Sequence, residues 1–159
     1  MDKNLKINMD IGLGKLGLPL ATLFAKNNTG VIAIDKNKKL IKKLKNGETP
    51  FFERDLEVNL YLAHENIVYT SDYEGIIDDT DASVILVNTQ IGQSYSSKYV
   101  KAAITDLCNE LKKSDKEYHL FILSSTVLPG EIEEIFIPLI EKETDRKLNE
   151  GFGFSYVPD

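Results

Sequence analysis

Gly12, Gly14 and Gly17 stand in the spacing GxGxxG, and a carboxylate, Asp35, follows about 20 residues on. Glycines at these positions permit a tight strand-to-helix turn, close backbone approach to a pyrophosphate, and close packing of helix on strand. The loop Gly12-Leu13-Gly14-Lys15-Leu16-Gly17 would therefore cradle the phosphates of a dinucleotide. The helix N-terminus behind it supplies free N–H groups and partial positive charge. Asp35 would accept hydrogen bonds from the adenosine ribose hydroxyls and repel a 2′-phosphate, which favours NAD over NADP. Lys36 and Lys39 beside it soften that preference, because a lysine near the ribose tolerates a phosphate. A surface glycine loop with an unrelated aspartate is the alternative, and it leaves the flanking pattern unexplained.

That pattern is strand, loop, helix, strand and acid. Leu5–Ile11 reads as the first strand, Leu16 to Phe24 as a helix, and Gly30-Val31-Ile32-Ala33-Ile34-Asp35 as a second strand ending in the acid. Leu40, Ile41 and Leu44 form one face of a lysine-rich helix that Asn46-Gly47 terminates, its lysines a solvated face. Residues 66–70, 82–87, 119–124 and 152–156 read as further strands, several apolar enough to be buried on both faces. Val100, Ala103, Ile104, Leu107 and Leu111 mark one helix face, and Ile132, Ile135, Phe136, Leu139 and Ile140 another, which Pro138 should kink. The expected fold is α/β: a Rossmann-type doubly wound parallel sheet of about six strands in the order 3-2-1-4-5-6, with helices on both faces. One conflict lies in the first strand, where Asn8 and Asp10 alternate with Ile7, Met9 and Ile11 although the strand would be central. Either Asp10 lies at an open end of the sheet, or the motif is a diverged copy.

The 159 residues form one domain of ordinary size without an internal repeat or linker. A formal charge of −6 gives no electrostatic reason to expect nucleic acid or an anionic membrane as a partner. One cysteine excludes an internal disulfide, no apolar run reaches membrane-spanning length, and Met1-Asp2-Lys3-Asn4 lacks a signal-peptide core; the expected location is cytoplasmic. No metal-ligand spacing surrounds His64, in a polar turn, or His119, at a strand start, so both read as structural or solvated.

Beyond the glycine loop, ordered landmarks cover nearly the whole chain. Gly12-Leu13-Gly14 with Gly17-Leu18-Pro19-Leu20-Ala21 resembles the opening GLGYVGLPLA of the nucleotide-sugar dehydrogenases, with Lys15 and Leu16 replacing Tyr-Val. Asn46-Gly47, Pro50, Glu53 and Leu56 are similar to that family's NG..P..EP.L segment, with Arg54 in place of proline. Thr70-Ser71-Asp72 and Tyr99-Val100 with Ala103 match further turns. Val87-Asn88-Thr89-Gln90 resembles its VPTP loop without the prolines, and Ser125-Thr126-Val127-Leu128-Pro129-Gly130 its STVPPG.

The resemblance, to the family of UDP-glucose and GDP-mannose dehydrogenases, implies an NAD-dependent oxidoreductase taking a UDP-sugar C6 alcohol to a carboxylate. Thr89 would contact the cofactor, and Thr126 would border the nicotinamide and help hold a catalytic water. Read without the family, residues 124–126 are a strand end followed by a helix cap. Asp159 falls where the family carries a glutamate used in acid–base chemistry, one methylene longer; a solvated aspartate is the other reading. Where the family often has a basic residue near the adenosine, this chain has Leu40. The family's second oxidation runs through a thiohemiacetal on cysteine, and Cys108 is not that cysteine, since it flanks an apolar helix stripe where a thiol packs. The nucleophile, the catalytic lysine and most sugar contacts belong to a later domain. The whole chain, 1–159, is thus expected to be the NAD-binding domain, without the central helix and substrate domain and catalytically incomplete alone; any homo-oligomer would form through the missing regions. The GLPLA variant resembles the branch acting on UDP-N-acetylhexosamines, hence polysaccharide biosynthesis. A non-catalytic dinucleotide-binding or regulatory module is the alternative. The Rossmann half of another hydroxy-acid dehydrogenase is a third reading, and it leaves the STVxPG copy unexplained.

Overall fold

The structure, a computed structural model, describes residues 6–158, with residues 8–11 described by their backbone. In chain order the elements are β1 (Lys6–Ile11), α1 (Gly17–Lys26), β2 (Gly30–Ile34), α2 (Lys38–Lys45), α3 (Leu56–Ala63), β3 (Ile67–Thr70), α4 (Ile76–Asp79) and β4 (Ala82–Leu86). There follow β5 (Gln90–Ile91), β6 (Ser94–Tyr95), α5 (Lys98–Lys113), β7 (His119–Leu123), a π turn over Ile132–Phe136, α6 (Ile137–Thr144) and β8 (Phe152–Tyr156).

Six strands form one parallel sheet in the order β3-β2-β1-β4-β7-β8. Setting aside the small antiparallel hairpin β5–β6, this is the expected doubly wound order. Period-2 alternation divides the apolar residues between the two faces of the sheet. Val31, Ala33 and Val84 join Leu18 and Ala21 of α1, Ile41 and Leu44 of α2, and Leu56 and Ala63 of α3. On the other face Ile34, Ile85, Phe121 and Leu123 join Ile76 of α4, Ile104, Leu107 and Leu111 of α5, and Ile140 of α6. Each large side chain so buried contributes about 1.5–3 kcal/mol.

The helix ends have local causes. Asn37 Oδ1 accepts the amides of Lys39 and Leu40 and starts α2. Gly47, at φ +76°, stops it: its amide donates to the Leu44 carbonyl and that of Glu48 to Lys43, a Schellman motif. The same pair of bonds ends α1, with Asn28 at φ 61° in the left-handed position. At Pro138, where a kink is expected, the structure has a π turn immediately before the proline. Proline has no N–H for the Glu134 carbonyl, and the helix widens by one residue immediately before it.

The conflict at Asn8 and Asp10 falls on residues described by backbone alone. That backbone pairs on both sides, Asn8 with Ile32 and Ser83, Asp10 with Ile34 and Ile85. Asp159 lies outside the described residues. Among the described residues no helix is long and apolar enough to cross a membrane.

Candidate functional site

The chain runs from β1 outward to β2 and β3, then returns to continue through β4, β7 and β8 in the opposite direction. Loops leaving the carboxyl ends of β1 and β4 therefore diverge and leave a crevice between them. The crevice is a cleft of ≈ 360 Å³ lined by Gly12, Gly14, Lys15, Leu16 and Gly17 after β1, by Asn88 and Thr89 after β4, and by Ser124, Ser125 and Thr126 after β7. A larger hollow of ≈ 650 Å³ lies between α2, α3 and the edge strand β3, and no loop from the carboxyl ends of β1, β4 or β7 lines it.

The glycine loop is held from inside. Leu13 is fully buried in the core beneath α1, and the Gly14 amide donates to the Gly12 carbonyl at 2.6 Å, closing a narrow turn around it. The Leu13 amide donates to Asp35 Oδ2 at 2.6 Å, while Asp35 Oδ1 accepts the Asn37 amide at 2.7 Å. The acid at the end of β2 is thus tied to the loop after β1.

Neither Gly12 nor Gly14 has a left-handed φ. A Cβ on Gly12 would meet nothing within 4 Å, and one on Gly14 only the Gly12 carbonyl at 3.8 Å. The space over the loop is open, and glycine at these positions leaves it free for a ligand. The space suits the phosphates of a dinucleotide, with the first turn of α1 behind it. Lys15 is the one charged side chain among the described residues lining the cleft.

The other wall is braced by Ser125. Its Oγ accepts the Val87 amide and donates to the Val87 carbonyl, both at 2.8 Å, extending the β4–β7 ladder by a side chain. Asn88 then closes on Gln90 through two bonds of 2.8 and 2.9 Å, and the Thr89 carbonyl accepts the Ser96 amide at 2.8 Å. Thr89 is half-buried at the hairpin's base, whereas Thr126 is exposed to the cleft beside the buried Ser124 and Ser125.

Sequence reasoning missed the bracing residues Ser125 and Glu131. The Glu131 carboxylate accepts from the Tyr95 hydroxyl, from Ser97 Oγ at 2.7 Å and from the Leu128 amide at 3.0 Å. Partial burial pushes its pKa up, but these hydrogen bonds and nearby Lys101 outweigh burial and hold it below the ordinary glutamate value. Tyr95 is raised, first by burial and then by the same bond. With Leu128 rather than Ser or Thr three residues before it, Glu131 does not complete a capping-box pattern in the sequence, and its bonds to Tyr95 and Ser97 leave no local signal either.

The remaining candidates stand apart from the cleft. Lys36 Nζ is 2.7 Å from Asp106 and 5.9 Å from the Tyr73 ring centroid, so it is engaged toward α5 rather than free to meet a ribose phosphate. Burial, with a smaller contribution from Glu143, pushes the fully buried Cys108 thiol up to about 12. Burial and Lys116 push the fully buried His119 down to about 4, with Nε2 2.7 Å from Ser83 Oγ. His64 is exposed.

Residues 6–159 match the model of the UDP-glucose/GDP-mannose dehydrogenase family, NAD binding domain. The UDP-N-acetyl-D-glucosamine 6-dehydrogenase of Salmonella typhi is 32% identical over 158 residues, covering 94% of this chain and 34% of that protein. The UDP-glucose 6-dehydrogenase AglM of Haloferax volcanii is 28% identical over 152 residues, covering 94% and 35%. Among solved structures, a ternary complex of GDP-mannose dehydrogenase from Pseudomonas aeruginosa superposes with a TM-score of 0.87 at 26% identity, over 98% of this chain and 36% of that one. The chain thus spans about a third of the length of the relatives it matches.

Proposed function

From the premise that this chain belongs to the UDP-glucose/GDP-mannose dehydrogenase family, whose NAD-binding domain it forms, we propose that its cleft holds the cofactor for oxidation of a nucleotide-sugar C6 alcohol. Gly12, Gly14, Lys15, Leu16 and Gly17 bind the pyrophosphate, Asp35 the adenosine ribose, and Thr89 and Thr126 the nicotinamide end. The observation that carries the assignment is the open space over Gly12 and Gly14, bounded by the loops after β1, β4 and β7.

NAD, when bound, supplies a two-electron acceptor at its nicotinamide ring. The residues of this chain bind and orient. With both carboxylate oxygens already set by backbone amides, Asp35 keeps lone pairs for ribose hydroxyls. Its charge disfavours a 2′-phosphate, and Lys36 is engaged elsewhere. Lys15 screens pyrophosphate charge, and Thr126 presents a hydroxyl able to hold a water against the ring. Asp159 remains a proposed acid–base group.

The proposed substrate is a UDP-N-acetylhexosamine. The reading is supported by the GLPLA opening and by the 32% identity to the Salmonella typhi enzyme, against 28% to the UDP-glucose enzyme. Formation of a uronate for surface polysaccharide in the cytoplasm is the corresponding role. Cys108, the single thiol, is buried with a raised pKa, so the second oxidation requires a thiolate that residues 1–159 do not supply. The central helix and substrate domain of the complete enzyme would provide it, together with the sugar contacts.

Calorimetric titration of the chain with NAD and NADP tests the cofactor assignment. NAD should bind more tightly; equal or tighter binding of NADP rejects the role given to Asp35.

A further inference from the structure

The two walls of the cleft that follow β4 and β7 are joined twice. The first junction, Ser125 with Val87, lies at the strand ends. The second is Glu131, further along the same loop, whose carboxylate gathers three donors from three places: Leu128 in the loop after β7, Tyr95 in β6, and Ser97 at the start of α5. A helix cap would account for the Leu128 amide alone. It does not account for a carboxylate that also takes the hydroxyls of Tyr95 and Ser97, more than thirty residues earlier. The hairpin carrying Tyr95 is in turn pinned to Thr89 through the Ser96 amide. The loop of Thr89, through the Ser96 amide, and the loop of Thr126, through the Leu128 amide two residues on, are therefore tied together at Glu131.

We infer that Glu131 is a positioning residue for the nicotinamide half of the site, fixing the loops of Thr89 and Thr126 as one rigid wall. This rests on the NAD reading above. With the ribose at Asp35 over β2 and the pyrophosphate over β1, the far half of the dinucleotide extends over the ends of β4 and β7, the wall that Glu131 braces. None of the three bonded groups belongs to the glycine loop or to Asp35, where the NAD reading puts the adenosine half.

That asymmetry separates positioning from general structural support. Titrating the 159-residue chain and its Glu131→Ala, Glu131→Gln and Tyr95→Phe variants with NAD and with ADP reads the two halves independently. Glu131→Ala should weaken NAD by about tenfold, the worth of one or two hydrogen bonds, and change ADP by less than about twofold. Glu131→Gln keeps an oxygen for Tyr95 and Leu128 and an amide that Ser97 Oγ can accept, so it should restore NAD binding to within about threefold of the parent. Tyr95→Phe removes one arm, leaves Glu131 in place, and should weaken NAD by about threefold with ADP unchanged. NAD affinity unaltered in both Glu131→Ala and Tyr95→Phe overturns the inference. So does parallel loss of NAD and ADP, or a Glu131→Gln variant as impaired as Glu131→Ala. If Glu131→Ala fails to fold, Tyr95→Phe alone decides. A parent chain that binds ADP but not NAD rejects the nicotinamide assignment and this inference with it, whereas parent binding with unchanged variants rejects the inference alone.

Discussion

The Asp35 carboxylate accepts the Leu13 amide at 2.6 Å, joining the end of β2 to the middle of the glycine loop. An acid expected to meet only the ribose therefore also organises the phosphate site. Asp35→Ala should weaken NAD by about 1.5–3 kcal/mol, roughly 10- to 150-fold, and narrow the preference over NADP. It should also lower the unfolding midpoint, because a half-buried amide loses its acceptor. Calorimetry and thermal melts check the two effects separately; NAD affinity equal to the parent's removes Asp35 from the site.

Gly14→Ala isolates ligand contact from folding. The added methyl meets only a carbonyl oxygen at 3.8 Å, an ordinary contact, and the backbone is not left-handed. Stability should change by less than about 1 kcal/mol, while NAD affinity falls by at least about tenfold as the methyl enters the space over the loop. Undiminished NAD binding by the folded variant places the phosphates elsewhere.

His119 makes stability depend on acid. Its folded pKa, near 4, lies below the ordinary value of 6.5, because burial first and Lys116 second disfavour the imidazolium. The unfolded chain therefore binds the extra proton between these values, and folding stability declines as pH falls from about 6.5 to about 4. The decline from this group should be about 3 kcal/mol, complete below the folded pKa. Urea midpoints across that window should fall steeply in the parent and less so in His119→Gln. Identical slopes assign the acid sensitivity to other groups.

Cys108 should be inert. With its thiol raised to about 12 inside the α5 core, a disulfide reagent should modify the native chain only on the timescale of unfolding, and fully in denaturant. The chain incubated with NAD and UDP-N-acetylglucosamine should form no NADH above a protein-free control. Sustained NADH formation abolished by Cys108→Ser overturns the packing role.

Apolar runs and the glycine loop made the sheet legible, because six strands joined by five helical crossovers leave few ways to wind a parallel sheet. The loops after β4 and β7 were legible through their Thr89 and Thr126 motifs, again because strand ends place them. The hairpin β5–β6 was not: its strands are two residues each and exposed, and its turn rests on Gly92 at φ +64° without any alternation around it. Helix α3 escaped because Leu56, Val58, Leu60 and Leu62 present apolar side chains around the helix rather than along one stripe, with no side-chain cap at Asp55. The Glu131 network joins residues 34 to 36 positions apart, a distance over which single-sequence patterns carry no information.

The π turn before Pro138 sets an angular phase. Each residue of an α-helix advances the chain by about 100°, so the extra residue held in this turn fixes how Glu131 is rotated relative to Phe136 and Ile140, which are sealed in the core. Removing one residue between Ile132 and Ile135 would let the segment relax to ordinary helix. The buried end, anchored by Phe136 and Ile140, would stay in register, and Glu131 would swing away from Tyr95 and Ser97. Length here is thus a specificity parameter: a change that adds or deletes no functional group would still disconnect the wall of the cleft from its brace.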